Sequence, residues 1–335
     1  MTRRQRTIAI SVSATAAALA LAIGLIVALT GSSAPAPAAS PSAAGLVSPF
    51  TGEPVPALGP VLAIKIDNVK EARPPTGLRS ADIIYALPVE GGLSRLMAVF
   101  SSRVPPVIGP VRSAREDDLE LLRQFGRPAF GYSGATPHLL PFIHRARIVD
   151  LYAGIAGGYF RDPGRAAPHN LYARSATLLT EARGASKAGD IGFRFGPLPA
   201  GGRAVSSYSV SYPAASFTFR WSAPDKRWLV LMDGKPSTAV EGGQLGGSTV
   251  VIQYTEVKTS RFLEYGSRPP YAVSTGSGQA VVLRDGRAFD VHWSRPSADG
   301  GTTFKLGSGQ RMTFAPGQVW VILASAPKSA PATHG

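Results

Sequence analysis

The sequence predicts an α+β protein: a mixed α/β N-terminal domain followed by a mostly antiparallel β domain, behind a single N-terminal transmembrane or signal helix. Three observations lead there. An arginine-flanked stretch free of charge opens the chain, strand-like and helix-like patterns are mixed from Val61 to about Ala188, and short β-rich runs separated by turn signals fill the rest.

Met1 to Arg6 carries three arginines, and Ile8 to Leu29 is then uncharged. That run is long enough for a bilayer, which takes roughly 20 residues, whereas a cleaved signal peptide has an apolar region of only about 7–15. An uncleaved anchor over residues 1–30 is therefore favoured over cleavage near Ala34, Ala36 and Ala38, where neighbouring prolines make a poor site. In either case the arginines stay in the cytoplasm and the rest crosses the membrane. Residues 31–46 form a Pro/Ala/Ser-rich linker with no means of building a core.

The mixed domain is expected over 47–200. LAIKI (Leu62 to Ile66) reads as a buried strand, and ADIIYALPV and LSRLMAVF read as two more around a Glu90-Gly91-Gly92 turn. Leu119, Leu122 and Phe125 share one helical stripe, Arg127 to Gly134 resembles a strand, and Pro137 to His144 a short helix. A last helix runs from Ser175 to a stop at Gly184. From 201 to 326 the runs SYSVSY, SFTFRW, RWLVLMDG, STVVIQYTEV, QAVVLRDG, AFDVHW, MTFAPG and VWVILA predict a sandwich or partial barrel. Residues 327–335 are expected to be a disordered tail.

The chain has 335 residues, no cysteine and a formal net charge of +14, and 44% of it is hydrophobic. That apolar fraction is enough for a core. The missing cysteines exclude disulfides, thiol nucleophiles and lipid-modified cysteine. Outside the cell a basic surface meets wall polymers, lipid head groups or acidic proteins rather than nucleic acid.

IGPVRSARE, Ile108 to Glu116, draws attention because two arginines stand where a helix begins, although the positive end of a helix dipole favours acids. Ser113 and Glu116 have capping-box spacing, and Arg115 could pair with Asp118. Capping gives Arg112 no role. Guanidiniums beside helix-start amides make an anion site, so Arg112 and Arg115 are candidates for one. Arg95 lies in an apolar strand run and calls for a carboxylate partner, Glu90 or Asp67. Asp67 and Asn68 end a strand, where open sheets place ligand groups. The polar loop YFRDPGRAAPHNLYAR gathers Arg161, Asp162, Arg165, His169 and Asn170. GYSGA with Ser133, then Asp162 and His169, follows hydrolase order but lacks the final glycine of that motif. No metal-ligand spacing, phosphate-binding loop or dinucleotide fingerprint occurs, so neither metal nor cofactor is expected.

The pieces AIKIDN, ARPPTGL, ADIIYALPVEGGLSRLMAVF, IGPVRSAR, YFRD with APHNLY, VVIQY and PGQVWV resemble the YerB-like family of bacterial envelope proteins, a family of unknown function. The resemblance spans Gly52 to Ala324. It implies an extracytoplasmic, membrane-tethered protein; many relatives are lipoproteins, and this chain lacks the cysteine they use. It also draws the candidates into one cluster: Asp67, Glu90 and His169 as acid or base, and Arg73, Arg95, Arg112, Arg115 and Asn170 as anion-binding residues. The expected function is an accessory or binding module recognising an anionic wall polymer or lipid phosphate. An enzyme acting on peptidoglycan or an attached glycopolymer, and a structural scaffold for wall synthases, are the alternatives.

Overall fold

Long apolar runs such as VVIQY and VWVILA cannot face water on either side, and they form the middle of one large sheet. The computed structural model describes residues 45–264 and 266–326; the expected anchor, nearly all of the linker and the tail lie outside the described residues. Among the described residues no helix is long and apolar enough to cross a membrane.

The N-terminal half contributes β1 (Leu62–Ile66), β2 (Ile83–Pro88), β3 (Ser94–Phe100), α1 (Glu116–Leu122), β4 (Ala129–Tyr132), α2 (Leu140–His144), β5 (Val149–Tyr152) and α3 (Ser175–Glu181). The C-terminal half contributes β6 (Ser207–Tyr212), β7 (Ala215–Ser222), β8 (Arg227–Met232), β9 (Thr249–Tyr254), β10 (Gly276–Arg284), β11 (Arg287–Arg295), β12 (Thr303–Leu306) and β13 (Val319–Ala324). Helices are few and short, so the fold is mostly β throughout. The expected strands of the N-terminal half are all present, and the helices between them are only one or two turns long.

One 11-stranded sheet has the order β12-β11-β10-β9-β13-β2-β3-β1-β4-β5, with the short pair Arg203–Ala204 added beside β11. The last strand among the described residues, β13, lies between β9 of its own half and β2 of the other, parallel to both. The strand pairings of the C-terminal half are mostly antiparallel, and that of β9 with β13 is the parallel exception. Every residue of β13 is buried, as is typical of a parallel strand covered on both faces. MTFAPG forms no strand; Phe314 makes only an isolated bridge to Phe195.

Each face of the sheet carries its own core. On one face β6, β7 and β8 form a second sheet, and Phe219 meets Trp320 of β13 edge to face at 6.2 Å. Burying side chains of that size contributes about 1.5–3 kcal/mol each. On the other face α1 packs Leu121, Leu122 and the following Phe125 against Ala63, Met97 and Val99, while Leu119 stays half-buried. The same helix also buries Asp117 and Asp118, an acidic pair that the apolar stripe did not indicate.

Candidate anion site at the carboxyl edge of the sheet

Strand direction decides where the charged residues meet. β1 runs antiparallel to β3, β3 antiparallel to β2, and β1 parallel to β4. The C-terminal ends of β1, β2 and β4 therefore open onto the same edge, where open sheets commonly receive ligands. Asp67 follows β1, Glu90 follows β2 and Ser133 follows β4. β3 starts from that edge, and extending its pairing with β1 by one step brings Arg95 level with Asp67. The segment Arg112 to Ala114 crosses the edge: the Arg112 amide donates to the Lys65 carbonyl at 2.8 Å, and the Ser133 amide to the Arg112 carbonyl at 3.0 Å.

Asp67 is the buried hub. Its Oδ2 meets His169 Nδ1 at 2.8 Å and Arg112 Nε at 3.0 Å. The Arg112 contact is close enough for ion pairing but not aligned as a hydrogen bond. Arg112 and His169 keep 26% and 21% of their side chains exposed, so both reach solvent from this hub.

Arg115 is nearly inaccessible and lies in a carboxylate cage. Its Nε and Nη2 fork onto Glu90 at 2.6 and 2.9 Å, and Nη2 also reaches Glu264 at 3.2 Å. Burial pushes the Glu90 carboxyl up, but the hydrogen bonds and charge of Arg115 prevail and hold it below the usual range. Burial and the neighbouring Glu90 charge raise Glu264, despite the opposing arginines. Glu264 has no motif around it, and no sequence signal pointed to it.

Arg95 differs from both. Its Nη1 donates to the Ser113 carbonyl at 3.0 Å, and among the described residues no carboxylate lies within ion-pair distance. Burial lowers its pKa to about 10, with the like charges of Arg115 and Arg112 adding to the effect and Glu90 and Asp67 opposing it. The expected carboxylate partner is therefore absent, because Asp67 is engaged by Arg112 and His169, and Glu90 by Arg115.

The helix start also differs from expectation. The N-cap is Arg115 rather than Ser113, and Asp118 Oδ2 accepts from the Arg115 amide at 2.7 Å. Asp118 is thereby turned away from the Arg115 side chain and towards Lys65, whose Nζ it meets at 2.6 Å with both side chains fully buried. Glu116 leaves the cap to bind Ser260 Oγ at 2.6 Å. Glu120 accepts from Ser274 N and Oγ, each at 2.8 Å, so the acids of α1 anchor the segment that carries Glu264.

Two expected members are engaged elsewhere. Asn170 accepts from Arg161 Nη1 at 2.7 Å and donates to the carbonyls of Asp162 and Arg165, so its amide shapes its own loop. Arg73 faces the C-terminal half, with Nη1 on Asp233 Oδ2 at 2.8 Å and Nη2 on the Asn68 carbonyl at 2.7 Å. The hydrolase order is not a triad either. Asp162 Oδ1 closes a turn with the Gly164 amide, and His169 bonds Asp67 instead. What assembles is Asp67, His169, Arg112, Arg95, Arg115, Glu90 and Glu264.

Comparison with known proteins fits this architecture. Residues 50–188 match the model for "Protein of unknown function (DUF3048) N-terminal domain", and residues 208–321 match that for the family's C-terminal domain. "Putative lipoprotein YerB" from Bacillus subtilis (strain 168) is 42% identical over 79 residues, which is 22% of this chain and 24% of that protein. The match thus spans about a quarter of that relative's length. The crystal structure of the YerB protein from Bacillus subtilis aligns with a TM-score of 0.70 at 21% identity, covering 83% of this chain and 96% of that one. Its likeness speaks for the fold. With both halves of the family accounted for, the chain belongs to the DUF3048 family of YerB-like proteins.

Proposed function

We propose that this protein is a membrane-anchored envelope protein that holds an anionic group at the carboxyl edge of its central sheet. Arg95 carries the reading. A largely buried guanidinium without a carboxylate partner is costly, and the cost is relieved when an anion enters beside it. Arg112 stands next to it, partly exposed, and offers a second fork to the same guest. The envelope location rests on the arginine-flanked apolar stretch at the N-terminus and on the lipoprotein designation of the Bacillus relative. A wall glycopolymer or a lipid phosphate is the proposed source of the anion.

Co-sedimentation of the full-length protein with purified wall fractions and with anionic vesicles tests this. The Arg95→Gln/Arg112→Gln variant should lose binding by at least tenfold while its melting temperature stays within a few degrees. Unchanged binding by a folded variant would refute the proposal.

One observation favours a second reading, an enzyme. Asp67 orients His169 through Nδ1 and leaves Nε2 for proton transfer to a group held by the arginines. Turnover of labelled wall or lipid-linked material that disappears in His169→Gln but not in Asn170→Ala would favour it.

A further inference from the structure

Arg73 was grouped with the edge cluster by sequence, yet it lines a separate cavity. This cavity has a volume of about 310 Å3 and lies between the 70–74 segment and the hairpin that follows β8. The hairpin turns at Asp233 and Gly234, both at positive φ (52° and 76°), as a two-residue turn requires. Asp233 is fixed there by the Ser216 amide on Oδ1 at 2.9 Å and by Arg73 on Oδ2 at 2.8 Å. The turn carries Lys235 and Ser237 to the cavity wall, opposite Lys70.

The charges do not balance. Asp233 is matched by Arg73, which leaves Lys70 and Lys235, both exposed and without an ion-pair partner among the described residues. Two polar groups are also poorly served. Among the described residues, Arg73 Nε is buried with no hydrogen-bond partner, and the buried Ser237 hydroxyl has only the Met232 sulfur at 3.5 Å. The cavity thus offers two ammonium groups and a hydroxyl, with a buried guanidinium N–H behind its wall, against one carboxylate that is already engaged.

We propose that this cavity is a second anion site, selective for a phosphate group carried on a small molecule or polymer unit. Arg73 directs one N–H from each terminal nitrogen to Asp233 and the Asn68 carbonyl, and its Nε is buried, so the donors that reach the cavity are single ones rather than the two-pronged fork that suits a planar carboxylate. Two compact lysine charges with single donors around them suit a tetrahedral oxyanion instead. The volume lies at the lower end of the usual range for small-molecule sites, about 300–1,000 Å3. This inference does not depend on the edge cluster.

The test is titration of the full-length protein with inorganic phosphate at low ionic strength, followed by calorimetry and by amide exchange of residues 232–238. Wild type should show saturable binding, protection of that segment, and weaker binding of acetate. Lys70→Gln/Lys235→Gln should weaken phosphate binding at least tenfold and remove the protection, and Ser237→Ala should weaken it severalfold. Arg95→Gln should leave the 232–238 protection intact, which separates this site from the edge cluster. Lys226→Gln/Lys305→Gln removes two exposed lysines that do not line the cavity and should change nothing. The proposal is overturned if Lys70→Gln/Lys235→Gln binds phosphate as wild type does, if the control pair weakens it equally, or if acetate binds as tightly.

Discussion

Replacing Asp117 by Asn should change the sign of its effect on stability between acid and mildly alkaline pH. The Asp117 carboxyl is buried beneath α1, its Oδ1 has no partner, and its Oδ2 accepts only a long 3.4 Å contact from the Ala272 amide. Lys65 is paired with Asp118, and its charge and that of Arg115 only partly offset a second carboxylate there. Burial, and then the Asp118 charge, raise Asp117 from the ordinary 3.8 to about 7. The folded state therefore holds this proton more tightly than the unfolded chain. The associated stability is fully present below about pH 3.8 and is lost as pH rises through about 7. At about 1.4 kcal/mol per pH unit, ionising the buried group costs about 4 kcal/mol by pH 8. Asn cannot ionise, but it leaves an amide N–H2 unpaired, a cost of about 1–3 kcal/mol at every pH. Urea denaturation should thus find Asp117→Asn less stable than wild type at pH 4, where little of that proton linkage has yet been felt, and more stable at pH 8. Asp82, raised to about 6 mainly by burial, is common to both proteins and cancels in the difference. A difference that stays flat from pH 4 to 8 would refute the argument.

Arg115→Gln should destabilise by about 3–5 kcal/mol in denaturant melts, because it leaves Glu90 and Glu264 facing each other without their shared cation. Arg95→Gln should cost little or raise stability, since it removes an unpaired buried charge, while wall or vesicle binding falls. Lys65→Met should lower stability by about 3–5 kcal/mol, because Asp118 loses the one salt bridge it makes among the described residues. The same melts check it, and Lys65→Met/Asp118→Leu should recover much of the loss.

Strands were legible because burial leaves a period in the sequence. LAIKI, DIIYALP and VWVILA are each bounded by turn residues, and each forms a strand. Sheet order was not legible. Nothing in VWVILA says that it pairs with Ile83–Ala86, some 230 residues away, rather than with its own half alone. The site was legible by residue type, since charges in apolar runs need partners. It was not legible by pairing. Glu264, brought in from the far half by the acids of α1, took the place that Asp118 held in the local reading of Arg115.

The arginines at the helix start make sense once α1 is seen as a lid rather than an isolated helix. Its dipole is already answered by Glu116, Asp117 and Asp118, and two of those acids are turned inward. Inward acids need Lys65, and a buried lysine on β1 fixes how deeply the helix sits on the sheet. That depth in turn sets Arg115 between Glu90 and Glu264, closing one side of the edge cluster. Arg112, on the crossing segment, is held over Asp67 by backbone bonds to Lys65 and Ser133 rather than by the helix. The charges around Arg95 are thus spent in fixed pairs before any guest arrives. The anion proposed for this edge would meet a preorganised donor set and would not have to compete with mobile carboxylates, so its binding would not require the cluster to rearrange.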